Sequence, residues 1–265
     1  MCDKPLTLDI QNVSKRYRLK RPSFFDRFKS QALDTSNEYS WALGKINLRL
    51  VEGDSVGLLG RNGSGKSTLM RILAGVERPT TGRVFARSRP ALLGVNAALI
   101  PSLSGRKNVE LGCLAAGMHL DEIEKQMPKI IEFCDLGQYF DQPMESYSSG
   151  MSARLRFAIA SASSPDILLV DEALAVGDAT FKDKSRDLVN GILESAGTLL
   201  LVSHSPADIT KFCQKAVWLE QGYLICVGNA EEVSLKYREW TWHLALGKLD
   251  KADELLIDAI DEELL

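Results

Sequence analysis

One nine-residue stretch restricts this chain more than any other: Gly60-Arg61-Asn62-Gly63-Ser64-Gly65-Lys66-Ser67-Thr68. It fits the pattern G-x-x-x-x-G-K-[S/T], a phosphate-binding loop. The residues before it, Ser55-Val56-Gly57-Leu58-Leu59, form a short apolar run that reads as a buried strand. Those after it, Leu69-Met70-Arg71-Ile72-Leu73-Ala74, read as the first turns of a helix. Strand, glycine-rich loop and helix are the context the pattern needs. Glycine lets the backbone wrap a phosphate with its N–H groups turned inward, at the positive end of a helix. Gly60, Asn62, Gly63, Ser64, Gly65 and Thr68 are thus candidate phosphate-binding positions. Lys66 is placed to neutralise the β- and γ-phosphates, and the Ser67 hydroxyl to complete a Mg²⁺ shell.

Composition narrows the setting. The chain has 265 residues, enough for one large domain with or without a small appendage. Hydrophobic residues make up 45% and charged residues 25%, ordinary values for a soluble globular protein. No run approaches the ~18 apolar residues of a membrane span, and the first residues contain no signal-like apolar core. Cys2, Cys113, Cys134, Cys213 and Cys226 lack C-x-x-C spacing, which argues against a zinc site and for a reducing compartment. A net charge of −3 gives no global case for nucleic acid as a partner. Charge is uneven, however: Lys15 to Lys29 holds seven basic residues and one acidic, Asp250 to Glu263 seven acidic and one basic. Solvated faces would account for both runs.

Taken in order, Leu6 to Ile10 alternates like a half-buried strand. Tyr17 follows it, either an edge-strand tyrosine or a platform for an adenine ring. Residues 20–40 read as an insertion in which Phe24, Phe25 and Phe28 mix with Lys20, Arg21, Arg27 and Lys29. These aromatics, with Trp41, either pack on the protein's own sheet or face a membrane partner. Strand patterning resumes at Trp41-Ala42-Leu43 and Ile46 to Leu50, and Arg83 to Ala86 reads as another short strand. Arg106 to Leu136 has helical spacing with a break at Gly117, and Pro128 predicts two or three helices there. Ala153 to Ala162 reads as a helix preceded by serine caps. Lys182 to Leu193 and Ala207 to Cys213 also read as helices. Gln221-Gly222, between two apolar runs, predicts a hairpin, and the chain after Glu231 is helical with a break at Gly247.

Several apolar β-like runs end in residues that carry chemistry, with helices between them. This predicts a parallel α/β sheet with its ligand at the strand C-termini. Asp171 closes Ile167-Leu168-Leu169-Val170, where a carboxylate can hold Mg²⁺ beside the Ser67 hydroxyl. Glu172, one residue on, is the candidate to polarise a water for in-line attack on the γ-phosphate. His204 closes a second buried strand and is a candidate γ-phosphate contact.

The order of these features resembles the nucleotide-binding subunit of ABC transporters, over residues 6 to about 240. Tyr147-Ser148-Ser149-Gly150-Met151 stands where that family's Leu-Ser-Gly-Gly-Gln signature lies, with Ser148 and Gly150 matching. Together with the Ala-Arg-Leu-Arg-Phe-Ala that follows, it is similar to ATPases of polysaccharide, O-antigen and teichoic acid exporters. Asp171-Glu172-Ala173-Leu174-Ala175-Val176-Gly177-Asp178 and Leu103-Ser104-Gly105-Arg106-Lys107-Asn108-Val109 look like the same subfamily. The resemblance implies a mixed sheet core, an antiparallel β subdomain, and a helical subdomain at about 100–165. The ATPase domain would span 1–240, and 241–265 would form a short acidic helical tail. It implies ATP and Mg²⁺ as cofactors, and a catalytic role for Asp178 beside Glu172 and His204. The usual Q-loop glutamine is absent; Val95 and Asn96 are nearest, and Asn96 is the candidate substitute.

The resemblance further implies a head-to-tail homodimer in which Ser148, Ser149 and Gly150 of one chain cover the phosphates held by Lys66 of the other. Two copies of an integral membrane permease and a lipid-linked glycan would be its partners, with the chain peripheral on the cytoplasmic face of the membrane. The competing readings are a soluble ABC-type ATPase without a transporter, and a module that senses ATP without turnover. The single cassette speaks against the first, Glu172 and His204 against the second.

Overall fold

The computed structural model describes residues 4–18, 39–93, 99–162, 165–171, 197–203 and 205–264. Within them two sheets pack against each other. Strand β1 (Leu6–Arg18) lies between β2 (Tyr39–Val51) and β4 (Thr81–Ala86) in an antiparallel sheet of order β2-β1-β4. The second sheet has the order β5-β6-β7-β3-β8-β9. Its strands are β3 (Ser55–Leu59), β5 (Ala91–Leu93), β6 (Ile167–Asp171), β7 (Thr198–Val202), β8 (Lys215–Glu220) and β9 (Tyr223–Asn229). All of its pairs are parallel except β8 with β9. The expected mixed sheet core and antiparallel β layer are both present.

Burial explains why the parallel strands read as unbroken apolar runs. In β6, Ile167 and Leu169 point into the core shared with the antiparallel sheet, among Leu8, Ile10, Leu43 and Ile46. Leu168 and Val170 point the other way, into a core with Phe157, Trp218, Tyr237 and Trp240. A strand covered on both faces has no polar side to show.

Helix α1 (Lys66–Leu73) follows β3. Helices α2 (Gly105–Ala115), α3 (Leu120–Cys134) and α4 (Ser149–Ala162) share a separate core of Val109, Cys113, Ile123, Ile130, Cys134, Leu155 and Ile159. Arg106 to Leu136 forms two helices with the break at Gly117, φ +97°, as expected, and Pro128 lies inside an uninterrupted α3. The proline is tolerated because it and Glu124, whose carbonyl loses its partner, lie on the exposed side, opposite buried Ile123 and Ile130. Helix α4 begins at Ser149, four residues before the expected Ala153, because the Ser148 hydroxyl accepts the Met151 N–H at 3.2 Å and caps it.

Helix α5 (Pro206–Phe212) leads to β8. The β8–β9 turn at Gln221-Gly222 has φ of +47° and +83°, the two positive values of a tight primed hairpin turn. Helices α6 (Ala230–Ala245) and α7 (Leu249–Leu264) then pack back on the sheet, separated at Gly247 as expected. Among the described residues no helix is long and apolar enough to cross a membrane. The expected helix at 182–193 and the aromatics and cations at 20–29 lie outside the described residues.

Candidate nucleotide site

Parallel pairing puts the C-terminal ends of β3, β6, β7 and β8 along one edge of the sheet. That edge carries the Gly60–Thr68 loop after Leu59 and Asp171 at the end of β6, with β7 between their strands. This is where open α/β sheets bind ligands.

The loop's glycines do different work. A Cβ on Gly60 would run into the Leu219 carbonyl oxygen, and one on Gly65 would lie 2.6 Å from the Ala42 carbonyl oxygen. Both are pressed against neighbouring strands. Gly63, with φ +82°, has nothing within 4 Å of that position. Its side of the loop is open. The turn before β9 braces the loop from beneath: the Gly222 N–H donates to the Ser64 carbonyl at 2.9 Å, and the Gly44 N–H to the Gly222 carbonyl at 2.7 Å.

Lys66 is only 5% exposed and its Nζ donates to the carbonyls of Gly60, at 2.7 Å, and Arg61, at 3.0 Å. The ammonium is parked on the loop itself. Ser67 is exposed at the first turn of α1, Thr68 is buried beneath it, and Asn62 is exposed on the loop. The Ser64 hydroxyl is buried and without a hydrogen-bond partner among the described residues. A glycine-rich loop at a helix N-terminus, a buried cation on it, an exposed hydroxyl and a nearby carboxylate fit a nucleotide with Mg²⁺.

Glu172, Asp178, His204 and Asn96 lie outside the described residues. Tyr17 is half-buried. Its hydroxyl donates to Glu77 Oε2 at 2.8 Å and receives Arg71 at 3.3 Å, and Lys15 lies 5.3 Å from its ring centroid. The tyrosine is therefore anchored at its polar tip, with the ring held by the end of β1.

Ser148 and Ser149 are exposed at the start of α4, beside half-buried Gly150. Ser148 and Gly150 line a cavity of about 540 Å³ with Asp135, Gln138, Tyr139, Met151 and Arg154, and no residue of the Gly60–Thr68 loop takes part. The structure thus does not bring the two motifs together on one cavity. Tyr147 is tethered by its hydroxyl, which donates to the Tyr139 carbonyl at 2.8 Å.

Sequence reasoning missed Glu220. It is 7% exposed at the end of β8, beside the loop, with the Arg61 backbone next to its carboxylate. Burial pushes its pKa up, against the Arg61 backbone and the charges of Arg61 and Lys66. The signal was available: like Asp171, it is a carboxylate closing an apolar strand.

Comparison with known proteins settles the family. The ABC transporter family model matches residues 43–175. The chain belongs to that family. It is 38% identical over 250 residues to the teichoic acids export ATP-binding protein TagH of Staphylococcus haemolyticus, covering 94% of both chains. It is 39% identical to the protein of the same name from Listeria monocytogenes, covering 89% of this chain and 71% of the relative. With the Bacillus anthracis protein of that name, identity is 40%, but the match spans only 42% of that longer relative. Among solved structures, an ATP-binding subunit of an ABC transporter superposes with a TM-score of 0.70 at 20% identity, over 95% of this chain and 99% of that one. A dimeric ATP-binding cassette bound to ADP and Pi gives 0.68 at 23%, over 84% and 98%. These two speak for the fold.

Proposed function

We propose that this chain is the ATP-hydrolysing subunit of an ABC exporter that moves a lipid-linked teichoic acid, or a related polysaccharide, across the cytoplasmic membrane. The observation that carries the reading is the 38% identity to the S. haemolyticus export protein across nearly the full length of both chains. In this reading the chain works on the cytoplasmic face as a homodimer with two copies of a permease. The ATPase domain spans 1–240, the helical subdomain about 100–165, and the acidic tail 241–265.

The site residues would divide the work as follows. Gly63 and the loop amides hold the phosphates, and Lys66 leaves its carbonyl acceptors to meet the β- and γ-phosphates. Ser67 and Asp171 would hold Mg²⁺, which supplies charge neutralisation when bound. Glu172 orients the attacking water; His204, Asp178 and Asn96 complete the γ-phosphate surroundings, and Tyr17 supports the base. Ser148, Ser149 and Gly150 serve the nucleotide of the opposite chain.

The test is reconstitution with the permease in proteoliposomes. ATPase activity is expected to rise severalfold with lipid-linked teichoic acid and to vanish with Glu172→Gln, in line with the ~10²–10⁴-fold effect of a lost general base. Full activity without any permease, unmoved by lipid-linked glycan, would favour a soluble ABC-type ATPase.

A further inference from the structure

The peptide joining Gly60 to Arg61 lies between two opposite charges. Its carbonyl accepts Lys66 Nζ at 2.7 Å. Its N–H is carried by Arg61, which the β3–β8 register places beside the Glu220 carboxylate. A single peptide plane therefore stands between the phosphate-binding lysine and a buried acid on another strand. Pairing of Leu59 with Trp218 in the parallel β3–β8 ladder sets this register, because two residues further on each strand stand Arg61 and Glu220.

The acid is held there under unfavourable conditions. Glu220 is 7% exposed, and its Oε2 has no hydrogen-bond partner among the described residues. Helix α6 supplies the cover. Trp218 packs against Tyr237 and Trp240 of that helix at centroid distances of 5.7 and 5.0 Å. Trp240 in turn stands 5.9 Å from the Arg61 guanidinium. The groups facing the carboxylate are Arg61 and Lys66 from the loop and Tyr237 from α6. An apolar side chain would meet no desolvation penalty here, so stability of the fold does not explain a carboxylate at this position.

We infer that Glu220 is a positioning residue of the phosphate loop: through the Gly60–Arg61 peptide it holds Lys66 in its parked position and sets how readily the lysine passes to a nucleotide. The inference rests on reading Gly60–Thr68 as the phosphate cradle. Two effects of the acid oppose each other. Its charge favours the parked lysine and repels incoming phosphates. Its acceptor oxygen keeps the loop peptide oriented, which helps phosphates bind.

Two substitutions separate the effects. Glu220→Gln keeps an acceptor and removes the charge; Glu220→Leu removes both. ADP and ATP affinities are measured by calorimetry on the full chain, with thermal melting in the absence of nucleotide. Glu220→Gln is expected to melt at or above the wild-type temperature and to bind both nucleotides at least threefold tighter. Glu220→Leu is expected to bind at least threefold weaker. A merely structural acid would move melting temperature and leave affinity alone. Affinity of Glu220→Gln within twofold of wild type, or shifts of the same sign in both variants, overturns the inference. If Glu220→Leu does not fold, the Gln variant alone decides. Lys66→Ala is the control: if it binds nucleotide normally, the cradle reading and this inference fall together; if it loses binding while Glu220→Gln is unchanged, only the inference falls.

Discussion

At the scale of single residues, Glu77 shows how much of the nucleotide side of the molecule rests on one carboxylate. Burial raises its pKa, but hydrogen bonds from Lys15, Tyr17 and Arg71 outweigh burial and hold it below its ordinary value of 4.5. A depressed carboxylate stabilises the fold above its unfolded pKa, and that contribution fades as pH falls through the folded one. Glu77→Gln should therefore lower stability at pH 7 by roughly 1.5–3 kcal/mol, the scale of a hydrogen bond to a charged group. The deficit should shrink on acidification below about pH 4.5. Denaturant titrations at pH 7 and pH 3.5 check this, and an equal deficit at both would refute it. The network also fixes Tyr17 at its polar tip: its hydroxyl bonds Glu77 and Arg71, partners 60 and 54 residues away that no local pattern announces.

At the scale of elements, α2 depends on one buried amide. Asn108 is 2% exposed. Its Oδ1 accepts the Ile100 N–H at 2.7 Å, and its Nδ2 donates to the carbonyls of Ile100, Leu103 and Ser104 at 3.1, 3.2 and 3.0 Å. One side chain thus satisfies the backbone of the loop entering the helix, which explains why an asparagine stands in the run beginning Leu103-Ser104. Asn108→Ala leaves those groups buried and unpaired. It should cost about 2–3 kcal/mol, the penalty for orphaned polar groups, as measured by chemical denaturation. A loss under about 0.5 kcal/mol, the range of an ordinary surface substitution, would show that water replaces the amide. The Ser148 cap was legible because capping is local, whereas the effect of Pro128 depends on which face of α3 meets solvent, which no local pattern tells.

At the scale of the whole molecule, the Gly60–Thr68 loop and the Ser148–Gly150 stretch belong to different parts of the fold, the sheet edge and the α2–α4 bundle. If each nucleotide is shared between two chains, Ser148→Arg should leave ATP binding to the single chain intact and abolish turnover. Lys66→Ala should lose binding. Mixing the two inactive variants should restore about one working site per mixed dimer, read as ATPase activity well above either alone. No recovery at any ratio would argue against shared sites, or make two working sites obligatory.

What the sequence determined by itself was whatever depends on neighbours along the chain. The strand–loop–helix run around Lys66, the continuous apolar strands, the hairpin at Gln221-Gly222, and the breaks at Gly117 and Gly247 all follow from local backbone preferences and from which faces need covering. The tertiary structure decided what depends on strands meeting out of sequence order. The order β5-β6-β7-β3-β8-β9 brings Glu220 beside Arg61, and puts Ala42 against Gly65 and the Glu77 carboxylate on Tyr17. Such contacts arise from sheet register and burial, whose energies are settled only when distant segments share one core. That is why the nearness of Glu220 to the loop, unlike its place at the end of an apolar strand, was decided only by the fold.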